Sequence, residues 1–313
     1  MPKSTHAALG DPRNDDIVIS INGELFPRAE AKISVFDSGF LVGDGIWEGI
    51  RLHDGEFAFL DRHLDRLFAA SKAVDLDIGT REELTQALRT TVEANDMTDG
   101  VHARLMITRG DKKTPSQHPS NVIGGPNVVI IAEHKQADPE VAANGISLFT
   151  VTGRRPNPDV LDQHLNCHSK LHEVIALIQA VGAGADEALM LDANGAVATC
   201  NATNFFIVRR GELWTSTGFS NLLGVTRDVI LEVARAAGLI CREHDFSLTE
   251  VYAADEAFVT GTFGGLTPVR EVDGRSIGDG STTGSGPMTA RLSELYGEAV
   301  HADVAARRAA RGG

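Results

Sequence analysis

Three cysteines in 313 residues are too few for a disulfide framework, and Cys167, Cys200 and Cys241 form no C-x-x-C pair. A reducing, cytoplasmic setting is the expectation. No apolar stretch reaches the ~18 residues of a membrane-spanning helix, and no charged start with an apolar core marks a secretory signal. Positive charge is scarce: 29 Lys and Arg face 43 Asp and Glu, a net −14. That argues against a nucleic-acid surface. It leaves room for a small anionic substrate, because a pocket can be locally positive in an acidic protein. Lysine also runs out early, since none follows Lys170.

Apolar residues are plentiful at 42%, enough for one large core or two medium ones. Residues 1–16 read as a loose leader, 17–132 as a small N-terminal domain, 133–145 as a polar, proline-bearing linker, 146–302 as a larger domain and 303–313 as a frayed tail. Asn22-Gly23 between apolar runs predicts a hairpin. Helical spacing predicts a helix over Arg62 to Val74. Thr80 with Glu83 forms a capping box for the next helix. Strands are expected at Phe57 to Leu60, Val101 to Thr108 and Val128 to Ala132. The second half alternates short strands and turns (Asn194-Gly195, Asp273-Gly274), with helices at Thr226 to Ala237 and Pro287 to Val300. Together these predict an α+β chain whose second half is mostly antiparallel sheet or barrel.

Lys170 heads the apolar run Val174, Ile175, Leu177, Ile178 and Val181, which reads as a buried helix. A lysine becomes nucleophilic when desolvation or a nearby cation lowers its pKa. Gly224-Val225-Thr226-Arg227 opens a helix, whose free N–H groups favour an anion. Gly261-Thr262-Phe263-Gly264-Gly265 lets backbone amides come close to a ligand. Arg66 adds a cation. Each has an ordinary explanation: a surface lysine, a plain helix start, a tight turn, a solvated arginine. Together they describe a site for a phosphorylated aldehyde, and pyridoxal 5′-phosphate needs a lysine and phosphate donors.

The order of these segments resembles the class IV aminotransferases, the fold-type IV pyridoxal-phosphate enzymes. Gly43-Asp-Gly-Ile-Trp-Glu-Gly-Ile-Arg51, His63-Leu-Asp-Arg-Leu67, Asn204-Phe-Phe206, Leu223-Gly-Val-Thr-Arg227 and Thr260-Gly-Thr262 with Leu266-Thr-Pro-Val269 carry the resemblance, which runs from Ile17 to Val300. It implies a small α/β N-terminal domain, a larger barrel-like C-terminal domain and a homodimer. It implies that Lys170 forms a Schiff base with the cofactor and moves the proton at the substrate carbon. Arg66, Gly224, Val225, Thr226 and Thr262 would hold the phosphate. The amides of Thr262 and Phe263 would receive the substrate carboxylate, and Val42, Trp47 and Arg104 would line the pocket.

One position departs from the family. Where a glutamate usually meets the pyridine nitrogen, five residues before Asn204, this chain has Thr199. A threonine hydroxyl can donate to a neutral ring nitrogen, but it lacks the charge-assisted bond a carboxylate gives. The expected activity is amino transfer between an amino acid or amine and a 2-oxo acid. The alternatives are a lyase like aminodeoxychorismate lyase, or a cofactor-binding homologue with weak catalysis. His164, His168 and His172 have metal-like spacing, but no acid or cysteine closes a site and no metal is expected.

Overall fold

The computed structural model describes residue 5 and residues 8–279 and 285–312. The chain divides into two compact units. The N-terminal unit holds residues 9–136, 165–170 and 303–313, and the C-terminal unit holds 1–8, 137–164 and 171–302.

The N-terminal unit contains β1 (Val18–Ile21), β2 (Glu24–Pro27), α1 (Ser38–Val42), β3 (Gly45–His53), β4 (Glu56–Phe57), α2 (Leu60–Ala73), α3 (Arg81–Glu93), β5 (Val101–Thr108), β6 (Asp111–Lys112), β7 (Val122–Ile123) and β8 (Asn127–His134). Six of these strands form a sheet in the order β2-β1-β8-β5-β3-β4, all pairs antiparallel. The hairpin turn falls on Asn22 and Gly23, both at positive φ (53° and 85°), as a two-residue turn that follows the strand twist requires. Thr80 and Glu83 form the expected capping box. The chain enters α2 earlier than the spacing suggests, so Leu60 is helical and only Glu56–Phe57 is strand.

Alternation along the strands sorts the sheet's two faces. Ile46, Ile50 and Leu52, Ala103, Leu105 and Ile107, and Ile130 and Ala132 pack with Leu64 and Leu67 of α2 and Leu84 and Leu88 of α3. The intervening residues, among them Trp47, Gly49, Arg51, Arg104 and Glu133, point the other way. The segment expected as a frayed tail is instead helical, and ion pairs hold it to this unit. Asp303 accepts from the Phe59 N–H at 2.7 Å, Arg307 pairs with Asp61 at 2.9 Å, and Arg311 pairs with Glu56 at 3.2 Å.

The C-terminal unit contains α4 (Pro139–Asn144), β9 (Ile146–Arg154), α5 (Leu171–Gly182), β10 (Glu187–Leu191), β11 (Val197–Cys200), β12 (Asn204–Arg209), β13 (Glu212–Thr215), α6 (Val225–Ala236), β14 (Cys241–Glu243), α7 (Leu248–Tyr252), β15 (Glu256–Gly261), β16 (Gly265–Val272) and β17 (Arg275–Ser276), and it includes the first part of α8 (Pro287–Gly312). The nine strands form one sheet, β11-β10-β9-β16-β15-β12-β13-β14, with β17 on β16. Three pairs are parallel (β9 with β10, β9 with β16, β13 with β14), so the sheet is mixed.

α5 differs from expectation. Its buried residues are Ala176 and Ala180, which pack on Val151, Ala188 and Met190. The apolar run that looked like core is mostly outside: Ile178 is 67% exposed, Ile175 56% and Val174 49%.

Candidate active site

In the N-terminal unit, alternation places Glu48 between Ile46 and Ile50, on the core side of β3, where it is fully buried. A buried carboxylate must be paired or protonated. One face of α2 supplies the partners, three residues apart. His63 Nδ1 lies 2.7 Å from Glu48 Oε2, and Arg66 bonds both oxygens through Nε and Nη2 at 2.8 and 2.7 Å. Burial opposes ionisation of Glu48. Arg66 and His63 outweigh it and hold the carboxyl below its ordinary range. Arg66 is therefore aimed, not solvated.

The other face of β3 carries Trp47. Its indole N–H donates to the Cys167 carbonyl at 3.1 Å, and the Arg104 guanidinium lies 4.2 Å from its ring centroid. Asn166 is bound to Trp47 on both sides, Nδ2 donating to Trp47 O at 2.7 Å and Asn166 O accepting the Trp47 N–H at 2.9 Å. Ser169 Oγ donates to Gly43 O, next to Val42, at 3.2 Å. Val42, Trp47, Arg104 and the segment ending at Lys170 are thus gathered in this unit. Lys170 is half-buried, and its N–H donates to His168 O at 2.8 Å. Burial lowers the His168 pKa, Asp37 opposes this, and Arg104 and Lys170 add to the lowering.

In the C-terminal unit, Gly224 is the N-cap of α6 and no side chain caps the helix, so the first-turn N–H groups stay available. Asn204 fixes this loop: its Nδ2 donates to Leu222 O at 2.8 Å. A Cβ on Gly224 would stand 2.3 Å from Asn204 Oδ1, so only glycine fits there. Thr226 is buried, with its hydroxyl 3.5 Å from the Tyr296 hydroxyl. Thr203 packs against Gly261, its Cγ2 3.6 Å from where a Cβ would be; Thr262 and buried Phe263 follow Gly261 in the chain.

Thr199 is buried, but its proton is not available to a ring nitrogen. Oγ1 donates to Thr203 O at 2.7 Å, so the hydroxyl presents lone pairs only. The same turn is gripped by Arg155, whose Nη2 donates to Cys200 O at 2.9 Å while Nη1 pairs with Glu173 at 2.9 Å. Burial lowers the Arg155 pKa, and Glu173 opposes that. Arg155, Asn204's amide and the Glu48 clasp were not assigned from sequence. Glu48 and Asn204 both lie in segments that carry the family resemblance, and Arg155 left no signal.

The model of the amino-transferase class IV family matches residues 45–272. The chain belongs to the class IV aminotransferases. Branched-chain-amino-acid aminotransferase-like protein 2 of Arabidopsis thaliana is 39% identical over 292 residues; the match covers 92% of this chain and 51% of that protein. The chain thus spans about half the length of that relative. A putative branched-chain-amino-acid aminotransferase of Methanocaldococcus jannaschii is 37% identical, with 89% and 94% covered. The crystal structure of a T.th. branched-chain amino acid aminotransferase complexed with N-(5′-phosphopyridoxyl)-L-glutamate superposes with a TM-score of 0.83 at 30% identity, covering 92% of this chain and 95% of that one.

Class IV aminotransferases are pyridoxal-phosphate enzymes, and the residues here suit that cofactor. An uncapped helix start beside a glycine on which a Cβ would clash with Asn204 has the free N–H groups that a phosphate would need. Among the described residues no helix is long and apolar enough to cross a membrane, and no cluster of three His, Cys, Asp or Glu could hold a metal.

Proposed function

We propose that this chain is a pyridoxal-phosphate-dependent aminotransferase moving an amino group between an amino acid or amine and a 2-oxo acid, with Lys170 as the cofactor's lysine. The class IV match over residues 45–272 carries this proposal. The bound cofactor supplies an aldehyde for amines and an electron-withdrawing ring. Lys170 Nζ would take the proton from the substrate Cα and deliver it to the carbon of the cofactor's aldehyde, the shift that amino transfer requires. In the N-terminal unit, Arg66 is the proposed phosphate cation, with its direction set by Glu48. In the C-terminal unit, Gly224, Val225, Thr226 and Thr262 are the proposed phosphate donors. Thr262 and Phe263 offer amides to the substrate carboxylate, and Val42, Trp47 and Arg104 line the pocket. Thr199 is proposed at the ring nitrogen, where it offers a neutral acceptor that is weaker than a carboxylate.

The test is a panel of L- and D-amino acids and chiral amines against pyruvate and 2-oxoglutarate. Acceptor-dependent 2-oxo acid formation is expected. Pyruvate release without an acceptor would favour the lyase, and a bound chromophore with neither product would leave only a binding protein. Thr199→Glu is expected to shift the chromophore's absorbance; unchanged spectra and turnover would remove Thr199 from the ring nitrogen.

A homodimer is the proposed assembly. Leu171, Val174, Ile175, Ile178 and Val181 make an exposed apolar stripe at helical spacing on α5, and a second copy of the chain is the proposed cover. Ile178→Asp is expected to turn a sedimenting dimer into a monomer, and a wild-type monomer at micromolar concentration would end the proposal. Three free cysteines suit the proposed cytoplasmic setting.

A further inference from the structure

Arg227 stands in the first turn of α6, where the helix dipole disfavours a positive charge. Its neighbours in the chain are the proposed phosphate donors, which suggests a direct contact with that anion. Its hydrogen bonds point to another task. The side chain is 2% exposed, and both terminal nitrogens bond protein groups. Nη2 donates to Ser216 O at 3.0 Å and to Glu243 at 2.8 Å, and Nη1 pairs with Asp228 at 3.0 Å. Arg235, further along α6, holds the other oxygen of Glu243 at 2.6 Å.

Ser216 carries this clasp to the strand of Thr199. Its Oγ donates to Ala198 O at 2.7 Å, and Ala198 directly precedes Thr199 on β11. Asn221 Nδ2 donates to the same carbonyl at 2.8 Å and to Ser216 Oγ at 2.7 Å. Those two acceptors fix which way round the Asn221 amide sits. Ala198, Ser216 and Asn221 are all buried. The loop that leads into α6 is thus held at Ser216 by Arg227, at Leu222 by Asn204, and to β11 between them.

The phosphate and the ring nitrogen belong to one small, stiff molecule. Both are bound well only when the protein segments that meet them keep a fixed spacing. We propose that Arg227 is a positioning residue: it locks the start of α6 to the strand of Thr199, and the phosphate is held by the amides it places rather than by its own charge. The proposal rests on the phosphate assignment of Gly224, Val225 and Thr226.

The full-length chain, dialysed free of cofactor, is titrated with pyridoxal 5′-phosphate and with pyridoxal and followed by absorbance. The wild type is expected to prefer the phosphate ester about a hundredfold. Arg227→Gln and Arg227→Lys are each expected to lower that ratio about tenfold, with pyridoxal affinity changed less than about threefold. Lysine keeps the charge but lacks the fork that spans Ser216 and Glu243. Arg235 leaves Glu243 paired in both variants, and thermal midpoints check the fold. Ser216→Ala keeps the carbonyl that Arg227 bonds and cuts the hydroxyl's bond to Ala198, which should lower the ratio about threefold. An unchanged ratio in Arg227→Gln would overturn the proposal. So would a ratio kept by Arg227→Lys and lost by Arg227→Gln, because charge and not placement would then carry the effect. Equal losses for both ligands would overturn it too, leaving Arg227 a structural ion pair. Should the Arg227 variants fail to fold, Ser216→Ala decides, and an unchanged ratio there counts against the clasp. A wild type with no phosphate preference would instead remove the phosphate from the start of α6, the reading beneath the proposal.

Discussion

Borohydride reduction of the purified protein is expected to fix a pyridoxyl group on the peptide containing Lys170. Lys170→Ala is expected to lose that adduct and roughly 10²–10⁴-fold of turnover. The chain has seven lysines, and three have surroundings that bear on reactivity; one is Lys135, half-buried, whose pKa is lowered by burial and by nearby Arg104 and Arg51. Lys170 is half-buried at the end of a segment fixed to Gly43 and Trp47, with His168 beside it. Lys112 is 2% exposed, and its Nζ has no hydrogen-bond partner. Within the 165–170 segment Asn166 is buried and tied to the Trp47 strand, and Lys170 lies four residues further on. Mass spectrometry of the digest separates the outcomes. An adduct at Lys112 would relocate the chemistry, and no adduct on any lysine would end the covalent mechanism.

Glu48→Ala is expected to destabilise the protein by about 3–5 kcal/mol in urea unfolding, because it leaves the buried partners of a salt bridge uncompensated. The affected groups are His63, which is 1% exposed, and Arg66, whose side chain is 17% exposed. The pH dependence has a definite sign. The folded-state Glu48 pKa lies below its ordinary 4.5. Its contribution is therefore present above the unfolded-state value and disappears as pH falls through the folded-state value. Glu48→Ala should flatten that acid limb. A loss under about 1 kcal/mol would mean the pair behaves like an exposed one. Cofactor affinity should fall as well, because Arg66 would lose the carboxylate that aims it.

Local chemistry was legible in the sequence and long-range pairing was not. Asn22-Gly23 and the Thr80–Glu83 box are complete within a few residues, so their geometry follows from their own side chains. The glycine of the α6 cap was readable for the same reason. The α5 stripe misled because apolar spacing marks a face that will be covered without saying by what; small Ala176 and Ala180 took the inside instead. The last residues looked loose because their arginines find acids some 250 positions earlier, Arg307 on Asp61 and Arg311 on Glu56. Arg66 looked solvated because its partner sits on another element, 18 residues back. Thr199 was placed by family pattern, but the direction of its hydroxyl depends on a carbonyl across a turn.

Thr5 bears on where an expression boundary can be drawn. Its backbone N–H and its hydroxyl both donate to Glu187, whose other oxygen accepts from Thr203 at 3.1 Å. Burial already pushes the Glu187 pKa up, and these donors are what hold it back. A shortened version beginning at residue 9 would strip both Thr5 donors from Glu187 and uncover it at once, so trimming the apparently dispensable start would disturb the turn that joins Glu187, Thr203 and Thr199.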